Sequence, residues 1–335
     1  EQVASSLGCQ SSEIYFTSGG TEADNIAILG AVRAQKRRGN RIVTTAFEHD
    51  AVLNTVKYLE SEGWEIIRLM PDANGQITPE QVLEAVDDKT VLVSIMAVNN
   101  EIGSILPIGA ISRQLRRKYP QLLIHCDAVQ AYCKEPIKLG KTMDVDFLSV
   151  SGHKIHGPKG IGFLYINDKV KIKPIIYGGG QQKGMRSGTE NVPGCAGLGL
   201  AAKMVYTDHD AKIDKLYAIK DRMVKGLQAM DGVTVHGLTG RDSAPQIVAA
   251  GFEGVRAEVL LHALEDKGIY VSSGSACSSN HPGVSGTLKG IGVKDSLLDS
   301  TLRFSFGAFN TEEEVDYCLE VLNELVPMLR RYRRA

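Results

Sequence analysis

The sequence predicts an α/β protein with a mostly parallel central sheet covered by helices on both faces. Three observations carry that expectation: short apolar runs of strand length alternate with amphipathic helical stretches, the polar residues collect just after the strands, and the 335-residue chain is long enough for about two domains. The charge is close to balanced, at −1, which argues against a nucleic-acid surface, although the tail from Leu329 to Ala335 is locally basic and reads as the solvated end of a helix. No stretch is apolar enough to span a bilayer. The six cysteines are scattered without a Cys-x-x-Cys pair, so neither a metal site nor a disulfide framework is expected, and a reducing cytoplasm is the natural home. The start at Glu1 shows no signal-peptide pattern and no initiator methionine, so the chain reads as truncated at its front.

In chain order, the strand Glu13–Phe16 runs into Thr17-Ser-Gly-Gly-Thr-Glu22 and then a helix with apolar residues at Ala23, Ile26 and Ala27. This pattern suits a phosphate. Gly20 lets the backbone approach an anion closely, and Thr21 adds a hydroxyl where free N–H groups and the helix dipole favour negative charge. The strand Arg41–Phe47 ends in Glu48-His49, and Val91–Val98 ends in Asn99-Asn100-Glu101. Leu122–Cys126 ends in Asp127-Ala-Val-Gln130, and Phe147–Val150 leads to Ser151, His153 and Lys154. Taken singly, His49 reads as a satisfied histidine, Asn100 and Asp127 as caps, Gln130 as a surface residue and Lys154 as a turn lysine. Taken together, they are polar groups at the carboxyl ends of several strands beside a phosphate loop, which is where open α/β sheets bind ligands.

Lys154 lies in a glycine-punctuated turn between Phe147–Val150 and a second apolar run, Ile161–Ile166. Partial burial there lowers an ammonium pKa enough for a Schiff-base nucleophile. A phosphate, a carbonyl that a lysine can condense with, and a ring nitrogen that an aspartate keeps protonated together describe pyridoxal phosphate. Asp127 would pair with the pyridinium nitrogen, His49 would stack on the ring and shuttle protons, and Gln130 would bond the phenolic oxygen. Ser151 and His153 would join Gly20 and Thr21 around the phosphate.

After Thr189 a long helical region, Ala196 to Met230, is expected, with the domain boundary inside it. Residues 1–205 then form a large cofactor-binding domain and 206–335 a small C-terminal α/β domain. The small domain reads as strands Val233–His236, Gln246–Phe252, Ile269–Ser272 and Leu302–Phe306, a helix Glu258–Lys267, and a final helix opened by Asn310-Thr311 with three glutamates in its first turn. Between about 272 and 285 lies a run of small and turn-forming residues containing Cys277. Its serines and histidine suit an exposed, mobile thiol; the plainer reading is an incidental loop cysteine.

The segments Ser18-Gly-Gly-Thr-Glu-Ala-Asp-Asn25, Glu48-His49, Asn99-Asn-Glu-Ile-Gly103, Asp127-Ala-Val-Gln130, Ser151-Gly-His-Lys-Ile-His-Gly-Pro-Lys-Gly160, Gly184-Met-Arg-Ser-Gly-Thr-Glu-Asn191 and Ser272-Ser-Gly-Ser-Ala-Cys-Ser278 resemble the motif series of the cysteine desulfurases. They occur in family order over nearly the whole chain. The resemblance implies the fold type I architecture of the pyridoxal-phosphate-dependent transferases, class V aminotransferase type. It implies a homodimer that converts L-cysteine to L-alanine and leaves sulfur on Cys277 as a persulfide. It makes Lys154 the Schiff-base lysine, His49 and Cys277 its catalytic companions, and Thr189 a phosphate ligand from the second subunit. Asn100 and Arg303 become contacts to the substrate carboxylate, and a sulfur-acceptor or iron–sulfur scaffold protein becomes the expected partner. Relatives of this kind carry a further N-terminal strand and an Asn-Ala-Ala-Thr-Thr segment that do not precede Glu1. The cysteine segment has the longer form associated with service to iron–sulfur scaffolds. Two other outcomes are compatible with the residues: a selenocysteine lyase or related lyase, in which Cys277 is less needed, and a non-catalytic binding subunit of the same fold. Intact Lys154, Asp127, His49 and Cys277 argue against the last.

Overall fold

The computed structural model describes residues 1–273 and 285–331. The expected cysteine loop therefore lies almost wholly outside the described residues, with Cys277, and so does the end of the basic tail. The chain divides into two compact units: Glu1–Met70, Ile77–Val98 and Leu106–His209 form the first, and Pro71–Gln76, Asn99–Ile105 and Asp210–Ala335 the second.

The first unit is built on a seven-stranded sheet in the order β1-β7-β6-β5-β4-β2-β3. Its strands are β1 (Ile14–Thr17), β2 (Arg41–Thr45), β3 (Glu65–Leu69), β4 (Thr90–Met96), β5 (Leu123–Asp127), β6 (Phe147–Ser151) and β7 (Gly162–Ile166). From β3 through β6 every neighbour is parallel, and only β7 runs against its neighbours β6 and β1. The sheet is thus mostly parallel, as the sequence predicts. Strands β4 to β7 are buried along their whole length, which is why they read as unbroken Val, Ile, Leu and Phe runs: helices cover both faces and no position alternates toward water. Strand β3 escaped the sequence reading because it is the edge strand and only partly buried, and its Glu65 and Arg68 dilute the apolar signal.

The helices of this unit are α1 (Gln2–Leu7), α2 (Gly20–Gln35), α3 (Asp50–Ser61), α4 (Pro79–Ala85), α5 (Ile108–Lys118) and α6 (Val192–Tyr206). Their starts follow local chemistry. His49 Nδ1 accepts the Ala51 N–H at the head of α3, Thr78 and Gln81 form a reciprocal capping box with Pro79 at the first turn of α4, and Asn191 caps α6. Helix α2 buries Ala23, Ile26, Ala27, Ala31 and Val32 in one core cluster with Ile42, Leu92, Leu123, Phe147 and Leu164 of the sheet.

The second unit has the antiparallel sheet β10-β9-β8, built from β8 (Val233–His236), β9 (Ile247–Phe252) and β10 (Thr301–Ser305). Its helices are α7 (His209–Gln228), α8 (Ala257–Glu265), α9 (Gly286–Gly290), α10 (Asp295–Leu298) and α11 (Glu312–Arg331). Met223, Leu227, Val248, Phe252, Leu260, Phe304, Leu322 and Leu325 form its core. One expectation is corrected here and another is refined. Ile269–Ser272 is not a strand: Ser272 makes one isolated bridge with Arg303, and among the described residues the other three reach no ladder partner. The long helical region expected from Ala196 to Met230 is made of two helices, separated at Thr207-Asp208, where Asp208 takes a left-handed conformation with φ 50°.

Candidate active site

Because β1, β2, β4, β5 and β6 point the same way, their carboxyl ends share one edge of the first unit's sheet. At β1 and β6 the register sets Thr17 and Ser151 on either side of Gly162. A Cβ on Gly162 would stand 2.8 Å from the Gly19 Cα and 2.5 Å from the Val150 carbonyl, so only glycine lets the Gly19-Gly20 turn come this close. A Cβ on Gly20 would lie 2.7 Å from Val129 and 3.8 Å from the Ser151 side chain. The N-terminus of α2, the Ser151 hydroxyl and the segment after β5 therefore meet at one place. Ser151 Oγ is 2.8 Å from His153 Nδ1, while Thr21 and His153 themselves are exposed. Partial desolvation and the cations Lys154, Lys159 and Lys134 hold His153 below the usual imidazole range. Arg186 pairs with Glu22 in the first turn of α2 at 2.6 Å, and Thr189, three residues on, is exposed.

Asp127 ends β5 and is buried, with Oδ1 accepting the Val129 N–H at 2.9 Å. Desolvation pushes its carboxyl up to about 7, Asp24 adds to the rise, and the Val129 N–H, His49 and His125 oppose it. Behind it lies a buried polar layer that the sequence did not reveal. His125 sits between Ser94 Oγ, 2.8 Å from Nδ1, and Ser149 Oγ, 2.9 Å from Nε2, with Asp24 Oδ1 at 3.4 Å. Burial pulls His125 down to about 4, so the ring is neutral, and pushes Asp24 up to about 7. Glu48 Oε1 accepts the Thr45 hydroxyl at 2.6 Å and the Met96 N–H at 3.1 Å, and burial lifts that carboxyl to about 8. The carboxyls of Asp24 and Glu48 lie close enough to Asp127 to act on it and on one another, and negative charge shared among them favours a cation beside Asp127.

Lys154, partly buried, lies in the short 3-10 turn Gly152–Ile155 directly after β6. The turn is held by Gly152 N–H to Ile161 O and Gly157 N–H to Gly152 O, both 2.9 Å, and His156 closes it at φ 62°. Gln130 is partly buried, just beyond Asp127. Asn100 and Arg303 belong to the second unit, where Arg303 Nη1 donates to the Asn100 carbonyl at 2.9 Å. Arg303 also exchanges main-chain bonds with Ser272, and Ser285 donates to Glu101. The described chain thus leaves off after Ser273 and resumes at Ser285 beside the same Asn100-Glu101-Arg303 group.

The model of the family described as aminotransferase class-V matches residues 1–318. The chain belongs to that family, in its cysteine desulfurase branch. It is 42% identical over 330 residues to a protein of Methanosarcina thermophila named cysteine desulfurase IscS, covering 98% of this chain and 81% of the relative. Among solved structures it is similar to a NifS-like protein, with a TM-score of 0.91 and 37% identity over 98% of this chain and 86% of that one. It is also similar to SspA in complex with cysteine, with a TM-score of 0.79 and 32% identity over 92% of this chain and 86% of that one.

The family's pyridoxal phosphate and fold type I architecture fit what the first unit contains. A long helix opens on a glycine pair pressed against a serine hydroxyl, a buried carboxyl ends the neighbouring strand, and a lysine follows the next. Of the residues singled out from the sequence, Gly20, Thr21, His49, Asp127, Gln130, Ser151, His153 and Lys154 follow strands that end at the same edge, and Asn100 and Arg303 meet in the second unit. Thr189 is exposed on the surface. Sequence reasoning missed Asp24, His125 and Lys134: the first two were hidden inside regular elements, and the last reads as an ordinary loop lysine.

Proposed function

We propose that the chain is a pyridoxal-phosphate-dependent cysteine desulfurase that converts L-cysteine to L-alanine and passes the sulfur to Cys277. The carbon–sulfur bond of cysteine breaks, the sulfur joins the Cys277 sulfur, and the two thiol protons, one from the substrate and one from Cys277, end on the alanine methyl and the persulfide. The observation that carries the reading is the convergence of Lys154, Asp127 and the α2 N-terminus at one sheet edge, in a chain whose relatives bear that name. When bound, the cofactor supplies an electron sink for bond breaking at the substrate.

The residues divide the remaining work. Lys154 would hold the cofactor through its carbonyl and then move protons once the substrate amine has taken its place. Asp127, with one oxygen committed to Val129, would offer the other to the ring nitrogen and keep it protonated. His49 Nδ1 accepts the Ala51 N–H, which puts its ring proton on Nε2. Gln130 would bond the phenolic oxygen. Gly20, Thr21, Ser151 and His153 would take the phosphate, joined by Thr189 from a second copy of the chain. Asn100 and Arg303 would bind the substrate carboxylate, where a planar guanidinium fork is the fitting partner. On this reading, residues 1–205 carry the cofactor and 206–335 the substrate-binding arginine and the sulfur-accepting cysteine. The protein is a homodimer that serves a sulfur-acceptor or iron–sulfur scaffold protein, with no nucleic acid or membrane partner. A cytoplasmic location is supported by the free thiols of Cys9, Cys126, Cys133, Cys195 and Cys318.

The test is direct. Protein loaded with pyridoxal phosphate and given L-cysteine should release alanine and gain one sulfur on the peptide containing Cys277, which a reductant removes. Alanine release with no sulfur on that peptide would move the reading to a lyase.

A further inference from the structure

After β5 the chain coils tightly through Ala128–Glu135: Tyr132 N–H bonds Ala128 O at 2.8 Å, and the N–H groups of Lys134 and Glu135 both reach Ala131 O at 2.9 Å. Cys133 sits at φ 65°, a conformation that costs a residue with a side chain about 1 kcal/mol. The coil is pinned regardless: Tyr132 Oη is 2.6 Å from Ser6 Oγ, and His209 Nε2 is 3.0 Å from Cys133 O. From this coil, Lys134 Nζ donates to the main-chain carbonyl of Lys154 at 2.7 Å.

A loop lysine ordinarily extends into water, where its ammonium is well hydrated. This one does not. Its ammonium is desolvated enough to bring it down to about 8, and the charge of Lys154 adds to the fall. A neutral amide could make the same hydrogen bond without that desolvation cost. What distinguishes lysine here is its charge. An amine that must attack a carbonyl has to be unprotonated, and a like charge nearby is one of the means by which proteins keep it so.

We propose that Lys134 is a positioning residue for Lys154: its ammonium fixes the Lys154 turn through the peptide carbonyl, and its positive charge weakens the hold of the Lys154 amine on its proton. The inference rests on the reading of Lys154 as the cofactor lysine. Among the other ionisable groups around the pair, three carry no charge near neutral pH. Cys133, pushed up to about 12 by burial, and Tyr206, pushed higher still, are neutral. His153 lies below the usual range and is neutral too. Helix α6, packed against the Lys154 turn, carries Cys195 and Lys203 besides Tyr206, and the turn itself continues to His156 and Lys159. Asp127 and Glu135 are the acidic groups of the strand and coil that hold Lys134.

The experiment uses the cofactor-free full chain. Lys154 is labelled with an acetylating reagent across a pH series, its peptide is quantified by mass spectrometry, and each protein's fold is checked by circular dichroism. Wild type is compared with Lys134→Gln, which keeps a donor without the charge, Lys134→Met, which keeps neither, and Lys134→Arg, which keeps both. Removing a nearby positive charge makes the protonated amine easier to hold. The labelling midpoint should therefore rise by roughly one pH unit in the glutamine and methionine variants and stay near wild type in the arginine variant. An unmoved midpoint in the glutamine and methionine variants overturns the proposal, and so does an equal rise in all three. Pyridoxal phosphate should protect Lys154 of the wild type from the reagent. Absence of protection overturns the reading of Lys154 and this inference with it, whereas protection with an unmoved midpoint overturns this inference alone.

Discussion

At the scale of single residues, the account rests on Lys154 and Asp127. Lys154→Ala should fold, bind pyridoxal phosphate more weakly and lose the visible absorption of the lysine-bound cofactor. Survival of that band would exclude Lys154 as the attachment point. Glu48 makes a different kind of prediction, because its pKa is raised rather than lowered by folding. The unfolded carboxyl ionises near pH 4 and the folded one near 8, so stability falls as pH rises through that window and the whole penalty is present above it. Glu48→Gln keeps an oxygen for the Thr45 hydroxyl and the Met96 N–H without the charge. It should stabilise the cofactor-free protein by about 1–3 kcal/mol at pH 9 and by almost nothing at pH 4. Denaturant titration at the two pH values reads the difference, and equal effects at both would mean that Glu48 does not carry a buried charge. Little of this residue-level chemistry was legible beforehand. Lys154, Asp127 and His49 stood out because they follow apolar runs, but Asp24, Glu48 and His125 matter through burial against one another, which no local pattern encodes.

At the scale of elements, the glycines and caps that shape the site differ in what they contribute. Gly162→Ala would force a methyl group to within 2.5 Å of the Val150 carbonyl and 2.8 Å of the Gly19 backbone, neither of which can step aside as a side chain would. The expected cost is about 1–3 kcal/mol together with weakened cofactor binding, because the Gly19-Gly20 turn must shift. Thr78→Ala removes a capping box on α4 and should cost about 1 kcal/mol with cofactor affinity unchanged. Equal affinity losses in the two variants, read by titrating cofactor into each protein, would contradict the placement of the phosphate at the α2 N-terminus. The elements themselves were readable where burial is complete. Strands β4 to β7 are enclosed on both faces and announced themselves as apolar runs. Strand β3, half-exposed at the edge, did not, and Ile269–Ser272 had strand composition but no partner beyond Arg303. The break at Asp208 was also invisible, since a left-handed aspartate leaves no mark on helical periodicity.

At the scale of the whole molecule, the proposed reading expects two copies of the chain, with Thr189 of one completing the phosphate site of the other. Sedimentation of the loaded protein should give a dimer, and a monomer that binds the cofactor tightly would remove Thr189 from the site. The central claim is the transfer of sulfur to Cys277, and it is tested most directly by single-turnover reaction of L-cysteine with the loaded wild-type protein and its Cys277→Ala variant. The account predicts that both bind the cofactor and perturb its spectrum on adding L-cysteine, since neither step uses that thiol. Only the wild type should release alanine and gain one reducible sulfur on the Cys277 peptide, and losing about 4 kcal/mol of barrier lowering would slow the variant roughly a thousandfold. Alanine release at the wild-type rate from Cys277→Ala would contradict it.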